Sequence, residues 1–358
     1  MTDKLFDIAL SFLYSKRLRN SRALLDHYGS AEQVWRHIDE PGMTEAMQRA
    51  KKEAEWIEAH NIRVWTLADD DYPYLLRQCP DKPIVLYSKG NIRFNEGHFV
   101  SIVGTRQATE RGKAITRDLV LELANNLPQL TIISGLAYGI DIAAHRAALE
   151  AGIPTLIIPA HGLDRIYPPL HRPEAVRALA NGGLITEYPS GTTPEKFNFV
   201  ARNRIIAGLA ECTIIVESRA RGGALITASM AFDYDRPVFA VPGRINDENA
   251  AGCNALIHDQ RASLLRNPDD LIESMMWTTA ARPVQTELTG LSDPHDDSNL
   301  TEQQQTLLNL LRDADNGIMV NELVEETDIS YSEVITNLMM LEMNKRVKSL
   351  PGGKFMAL

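Results

Sequence analysis

Cysteine is scarce. The 358-residue chain has three, Cys79, Cys212 and Cys253, and no two stand in a CxxC pair. That spacing excludes the common zinc and disulfide frameworks, so the expectation is reduced thiols, no metal and a cytoplasmic setting. Positive charge is also short, with 37 Lys+Arg against 47 Asp+Glu and a net charge of −10. A protein that coats nucleic acid with its whole surface is basic, so nucleic-acid contact here must come from a local patch. The same acidic balance argues against a membrane-surface role. No uninterrupted apolar run approaches the roughly 20 residues of a membrane span. The start, Met1-Thr2-Asp3-Lys4-Leu5, lacks the basic-then-apolar pattern of a signal peptide. Repeats and low-complexity tracts are missing too. Apolar residues still make up 44%, enough to give about two or three domains sizeable cores.

Residues 1–60 read as short helices, a small module of the SAM or helix-hairpin-helix type. Ser21 and Ser30 are placed to cap two of them, and Gly29 to end one. The turn Ser15–Asn20 has the charge for DNA backbone but no glycine for a close approach. A protein-contact or structural role suits it better. Residues 61–98 are turn-rich. Asp70 and Asp71 before Tyr72-Pro73 are turn chemistry, and no further ligand joins them to hold a metal.

From Phe99 the pattern changes to strand–helix alternation. The runs FVSIVG, TIIS, PTLIIPA, GLITE, CTIIVE and PVFAVPG are near-continuous and apolar. Such runs suit parallel strands buried on both faces, joined by right-handed crossovers into a doubly wound sheet. Residues 61–277 therefore predict an α/β domain with a Rossmann-type parallel sheet. Residues 278–299 lose periodicity and read as a linker. In 300–358, three helices and a hairpin over Pro351-Gly352-Gly353 predict a winged helix. Its recognition-helix candidate, SEVITNLMMLEMNKR, is basic only at Lys345 and Arg346, with Lys348 and Lys354 on the wing. Reading duplex DNA needs more phosphate-reaching side chains than that, so protein contact is the better reading.

The loops leaving the strands hold the residues that can carry chemistry, since ligands of such sheets bind at the carboxyl ends of the strands. After the first strand, Gly104, Thr105 and Arg106 offer a turn, a hydroxyl and a guanidinium, which fit one phosphate. The third glycine of a dinucleotide fingerprint is missing. After the second strand, Ser134 and Gly135 can present a hydroxyl and amides, and Tyr138 can stack on a base. Asp141 and His145 share a helix face, and packing or capping suits them better than catalysis, because no nucleophile accompanies them. Lys196, Phe197 and Phe199 read as a loop before a helix that starts near Val200. Basic residues interleaved with aromatics suit single-strand binding, although core packing explains the phenylalanines equally well. Arg202 and Arg204 lie about 200° apart on a helix. Arg202 shares its face with Ile205, Ile206 and Leu209 near the crevice, and is the preferred ligand contact. Arg219 and Arg221 precede Gly222-Gly223, whose amides open a helix at its positive end. This is the strongest anion-site signal in the chain, and Arg244 can line the same wall.

Together, and in order, SIVGTR, SGLAYGIDIAAH, YPPLH, the F-x-x-RNRIIAGL run, VES-x-x-x-GGALITA, VPG and GCNALI resemble the DprA/Smf family of DNA-processing proteins. The resemblance covers about residues 70–275 closely. It implies an extended Rossmann fold that binds single-stranded DNA without strong sequence preference and forms dimers through this domain. It also implies hand-over of the strand to RecA, past single-strand-binding protein, during natural transformation. No cofactor is expected. By similarity Arg106, Lys196, Arg202, Arg219 and Arg221 line the DNA pocket. Two departures stand out: GSR is GTR here, and the serine-glycine of the fifth loop is Gly222-Gly223. The rival reading is a nucleotide phosphoribohydrolase or a nucleotide sensor. Against hydrolysis, Thr227 stands where such enzymes align a glutamate, and breaking an N-glycosidic bond needs a carboxylate near the developing oxocarbenium charge.

Overall fold

Runs of branched aliphatic residues build the centre of one large sheet. Its strands are β1 (Arg63–Thr66), β2 (Val85–Asn91), β3 (His98–Val103), β4 (Leu130–Ser134), β5 (Thr155–Ile157), β6 (Gly182–Thr186), β7 (Cys212–Ile215), β8 (Val238–Ala240) and β9 (Ser263–Leu264). In this computed structural model their spatial order is β1-β2-β6-β5-β4-β3-β7-β8-β9. β6 to β9 pair in parallel, and β1 and β2 extend the sheet antiparallel from β6. The described residues are all except 1–3, 15–17, 278–299, 313, 315–316, 328, 345, 351–352 and 358. The linker expected over 278–299 therefore lies outside them, as do Ser15–Arg17 of the basic turn and Lys345. The chain forms two units, Met1–Ala281 and Arg282–Leu358.

Side chains alternate across a strand, and the neighbours in each apolar run go to opposite faces. Ile133 and Ile215 join one core with Ile205, Ile206, Ala224 and Ala228. Ile132 and Ile214 join the other with Leu119, Leu123, Ile140 and Ala144. Helices cover both faces of the sheet: α5 (Tyr74–Gln78), α6 (Glu110–Asn126), α7 (Ile140–Ala151), α8 (Arg172–Ala178), α9 (Lys196–Leu209), α10 (Ala224–Asp233), α11 (Ala251–His258) and α12 (Pro268–Ser274). The chain runs from β3 to β4 on one side and returns to β7 on the other. The loops leaving β3 and β7 thus diverge and open a crevice between them.

Before the sheet come α1 (Leu5–Leu13), α2 (Leu18–Tyr28), α3 (Ala31–His37) and α4 (Met43–Ala59). Ser30 caps α3, accepting the Gln33 amide at 3.2 Å. Ser21 is not a cap, because α2 starts at Leu18 and Ser21 is buried within it. Ile8, Val34 and Ile57 share a core with Val64, Val85 and Tyr87 of β1 and β2. Glu53 of α4 is also buried, and its carboxylate accepts the Ser190 amide at 2.8 Å and the Ser190 hydroxyl at 2.5 Å.

The second unit is a winged helix. Helices α13 (Glu302–Arg312), α14 (Val320–Thr327) and α15 (Tyr331–Met343) pack with a three-stranded antiparallel sheet of β10 (Ile318–Met319), β11 (Val347–Leu350) and β12 (Lys354–Ala357). A capping box between Ser330 and Glu333 starts α15. Tyr331, Met339 and Met340 are exposed on that helix. Among the described residues no helix is long and apolar enough to cross a membrane, and no cluster of three His, Cys, Asp or Glu side chains could hold a metal.

Candidate nucleic-acid interface

The crevice is a cleft of about 330 Å³ lined from the exits of β3, β4 and β7 and by one face of α9. From β3 come Gly104, Thr105 and Arg106. The Thr105 amide donates to the Glu217 carbonyl at 2.8 Å, and its hydroxyl accepts the Gln107 amide at 3.2 Å. That turn projects Arg106 into solvent, with its guanidinium carbon 5.0 Å from the centre of the Phe199 ring. Glu217, which the sequence shows only as part of the VES motif, ties two site loops together. Its carboxylate accepts the Thr109 amide at 2.9 Å and the Thr109 hydroxyl at 2.5 Å, and Thr109 in turn caps α6. The readable signal was a carboxylate at a buried strand end, directly before a basic loop.

From β7 come Arg219, Arg221, Gly222 and Gly223. Arg219 Nε donates to Asn249 Oδ1 at 3.3 Å, and Arg221 has no ion-pair or hydrogen-bond partner among the described residues. The Gly222 amide is taken by the Arg219 carbonyl at 2.9 Å, so it does not face a ligand. The amides of Gly223 and Ala224 at the start of α10 have no acceptor among the described residues, as at any open helix N-terminus.

Helix α9 begins at Lys196, four residues before the expected start near Val200, so the Lys196-to-Phe199 segment is helical rather than a loop. Phe199, Arg202, Asn203 and Ile206 then fall on one face, spaced three or four apart, and all four line the cleft. Lys196 is exposed one turn before Phe199, and Phe197 is 77% exposed; neither lines the cleft.

Two arginines have other roles. Arg202 is 2% exposed, and its Nη1 donates to the carbonyls of Gly135 (2.8 Å) and Ile158, at the ends of β4 and β5. A Cβ on Gly135 would lie 2.6 Å from that guanidinium, so glycine is needed for the contact. Arg202 therefore lines the cleft from its floor beside Asp141, near the crevice as its helix face predicts, but with Nη1 already taken by two carbonyls. Arg204 does not line the cleft and pairs with the largely buried Glu187 side chain, which is 10% exposed. Ser134 is fully buried, and its hydroxyl donates to the Ile102 carbonyl at 2.7 Å, so it presents nothing to a ligand. Tyr138 is exposed and meets His171 edge-on at 4.9 Å. Arg244 is exposed outside the cleft lining.

The lining holds four arginines and one carboxylate, Asp141, on a chain that is acidic as a whole. Burial pushes the Asp141 carboxyl up, against the nearby Arg202 charge. Asp141 and His145 form no pair. His145 Nδ1 lies 2.8 Å from the Thr155 hydroxyl, which itself donates to the Ile132 carbonyl, so Nδ1 carries the proton. Burial pushes His145 down to about 3. Its folded value is thus below the unfolded one, near 6.5. Between those values only the unfolded chain takes up the proton, so stability falls as pH drops, by about 1.4 kcal/mol per unit. Urea titrations at pH 6.5 and 5 should show this loss, about 2 kcal/mol by the same relation, as an excess of wild type over His145→Gln. Equal losses in both would mean that His145 titrates freely in the folded chain.

The DNA recombination-mediator protein A family model matches residues 63–276, and the DprA winged helix domain model matches 292–353. The chain belongs to the DprA/Smf family. It is 32% identical to Protein Smf of Escherichia coli over 299 residues, covering 83% of this chain and 78% of that one. To Protein Smf of Synechocystis sp. it is 40% identical over 228 residues, 62% of this chain, and the match spans only 56% of the relative's length. Among solved structures it is similar to DNA processing protein A of Streptococcus pneumoniae, with TM-score 0.66 and 31% identity over 76% of this chain and 97% of that one. It is also similar to DNA processing protein A of Helicobacter pylori, studied for its single-stranded DNA binding mode, with TM-score 0.54 and 30% identity over 60% and 96%. The mostly parallel α/β sheet and the winged helix are those of a DprA-family DNA-processing protein.

Proposed function

We propose that the cleft grips the backbone of single-stranded DNA without sequence preference. One observation carries this reading. Arg106, Arg219 and Arg221 stand exposed around a cleft that Phe199 also lines, with Arg106 over its ring, and none has a carboxylate partner among the described residues. Guanidiniums hold phosphates, and a ring stacks on bases of any identity. Lys196, one turn before Phe199, extends the charge along α9. The family resemblance supports the wider role: a cytoplasmic dimer, paired through the Rossmann-type unit, that loads RecA on incoming strands during transformation. We read the protein as a binder and not an enzyme, because buried Thr227 lines the cleft where a hydrolase would place a carboxylate.

Fluorescence anisotropy of labelled oligo-dT and its duplex tests the binding. Tight single-strand binding, weak duplex binding and a loss of about 1.5–3 kcal/mol in Arg106→Ala are expected, the range for hydrogen bonds to charged groups. Wild-type affinity in that variant would remove Arg106 from the site. No binding to either form would favour the nucleotide-site reading, and base release from nucleoside monophosphates would then be assayed.

A further inference from the structure

The segment between β5 and α8 carries an aromatic residue that the cleft lining does not include. Tyr167 is 43% exposed, and its ring centre lies 5.9 Å from that of Phe199, with the two planes tilted by 58°. Phe199 in turn lies under Arg106. Arg106, Phe199 and Tyr167 are therefore consecutive neighbours, running from the cleft to the segment after β5.

Tyr167 is held in place from below. Its amide donates to Nε2 of buried His161 at 3.1 Å, and His161 Nδ1 donates to the Gly162 carbonyl at 2.9 Å. Both ring nitrogens are thus engaged in the neutral tautomer. The Tyr167 segment is also tied to the segment that leads into α9. The Gly162 amide donates to the Thr192 carbonyl at 3.2 Å, and Asp164 Oδ1 accepts the Gly191 amide at 3.0 Å. The approach is close enough that a Cβ on Gly162 would sit 2.4 Å from the Pro189 carbonyl oxygen. Tyr167 and Phe199 accordingly keep their spacing. The segment brings little net charge, since Asp164 pairs with Arg165 at 2.7 Å. It offers an anchored ring and not a phosphate contact.

We propose that Tyr167 is a second base-stacking position, taking the nucleotide next to the one stacked on Phe199 and continuing the single-strand path over the segment after β5. This rests on the single-strand reading of the cleft. Stacking on an aromatic side chain accepts any base and needs no counterion release, so the position adds affinity without adding sequence preference or salt dependence.

The test is anisotropy with an oligo-dT of about 15 nucleotides, near the upper site size of such grooves, and with the same strand made wholly of abasic residues. Tyr167→Ala should bind oligo-dT about tenfold or more weakly, the scale of one lost stack. Tyr167→Phe should bind as wild type, and Tyr167→Leu, which keeps apolar bulk without the aromatic face, should behave as the alanine variant. The slope of log K against log salt should be the same in all four proteins. On the abasic strand wild type and Tyr167→Ala should bind alike. Unchanged oligo-dT affinity in Tyr167→Ala and Tyr167→Leu overturns the proposal, as does an equal loss on the abasic strand, which would make the residue a structural support. Failure of wild type to bind oligo-dT at all overturns instead the reading of the cleft.

Discussion

Arg204→Met should destabilise the first unit by about 3–5 kcal/mol, the usual cost of removing one partner of a buried ion pair. Arg204 is 5% exposed, and its guanidinium pairs directly with the Glu187 carboxylate. Burial pushes the Glu187 carboxyl up, and the Arg204 charge is the main influence opposing that, with a smaller one from Arg22. Without Arg204, the chain must either keep a lone charge in its core or bind a proton there. Adding Glu187→Leu to the variant should recover much of the loss, since an apolar pair of similar volume can replace a buried ion pair. Urea denaturation of wild type, single and double variants measures this directly. Folded Arg204→Met protein should keep its affinity for oligo-dT, because Arg204 lies outside the cleft. A stable single variant with impaired binding would reverse the assignment and make Arg204 a ligand contact.

The second large effect belongs to the cleft. With Arg106, Arg219 and Arg221 all replaced by alanine, single-strand binding should fall by several orders of magnitude at low salt. The salt dependence should flatten with it, by about 0.7 in the slope of log K against log salt for each phosphate contact removed. Three contacts therefore predict a change of about 2 in that slope. Titrations of wild type and triple variant across salt concentrations give both quantities. If affinity drops but the slope holds, the arginines shape the cleft rather than touch phosphates.

How far the sequence alone reveals these residues depends on what each position needs. Strands such as TIIS and CTIIVE were legible because burial on both faces leaves an unbroken apolar run. The basic loop with Arg219 and Arg221 was legible because a charged stretch before paired glycines, placed after a strand, has few other uses. The start of α9 was not. Two phenylalanines and a lysine just after Pro194 suggested a loop, while the helical spacing that joins Phe199 to Arg202 and Asn203 shows only once the helix is extended back to Lys196. Arg202 and Arg204 were equally opaque. An arginine that serves strand-end carbonyls or a buried glutamate looks in sequence like one that serves a ligand. Ser134 and Glu217 depend on partners 32 and 108 positions away, beyond any local pattern.

The hold of Glu53 on Ser190 makes the first unit hard to dissect. A cut near residue 60 follows the change from helices to strands, yet it would take away more than an appendage. Ser190 would lose the acceptor for both its amide and its hydroxyl, and Tyr87, Val85 and Val64 would lose the apolar surface that covers them. Ser190 lies in the stretch that feeds α9, so the damage would reach Phe199, whose position α9 sets. The N-terminal helices are thus a foundation of the cleft. A fragment beginning at the first strand would be a poor stand-in for the whole chain in any binding experiment, however faithfully it kept the arginines.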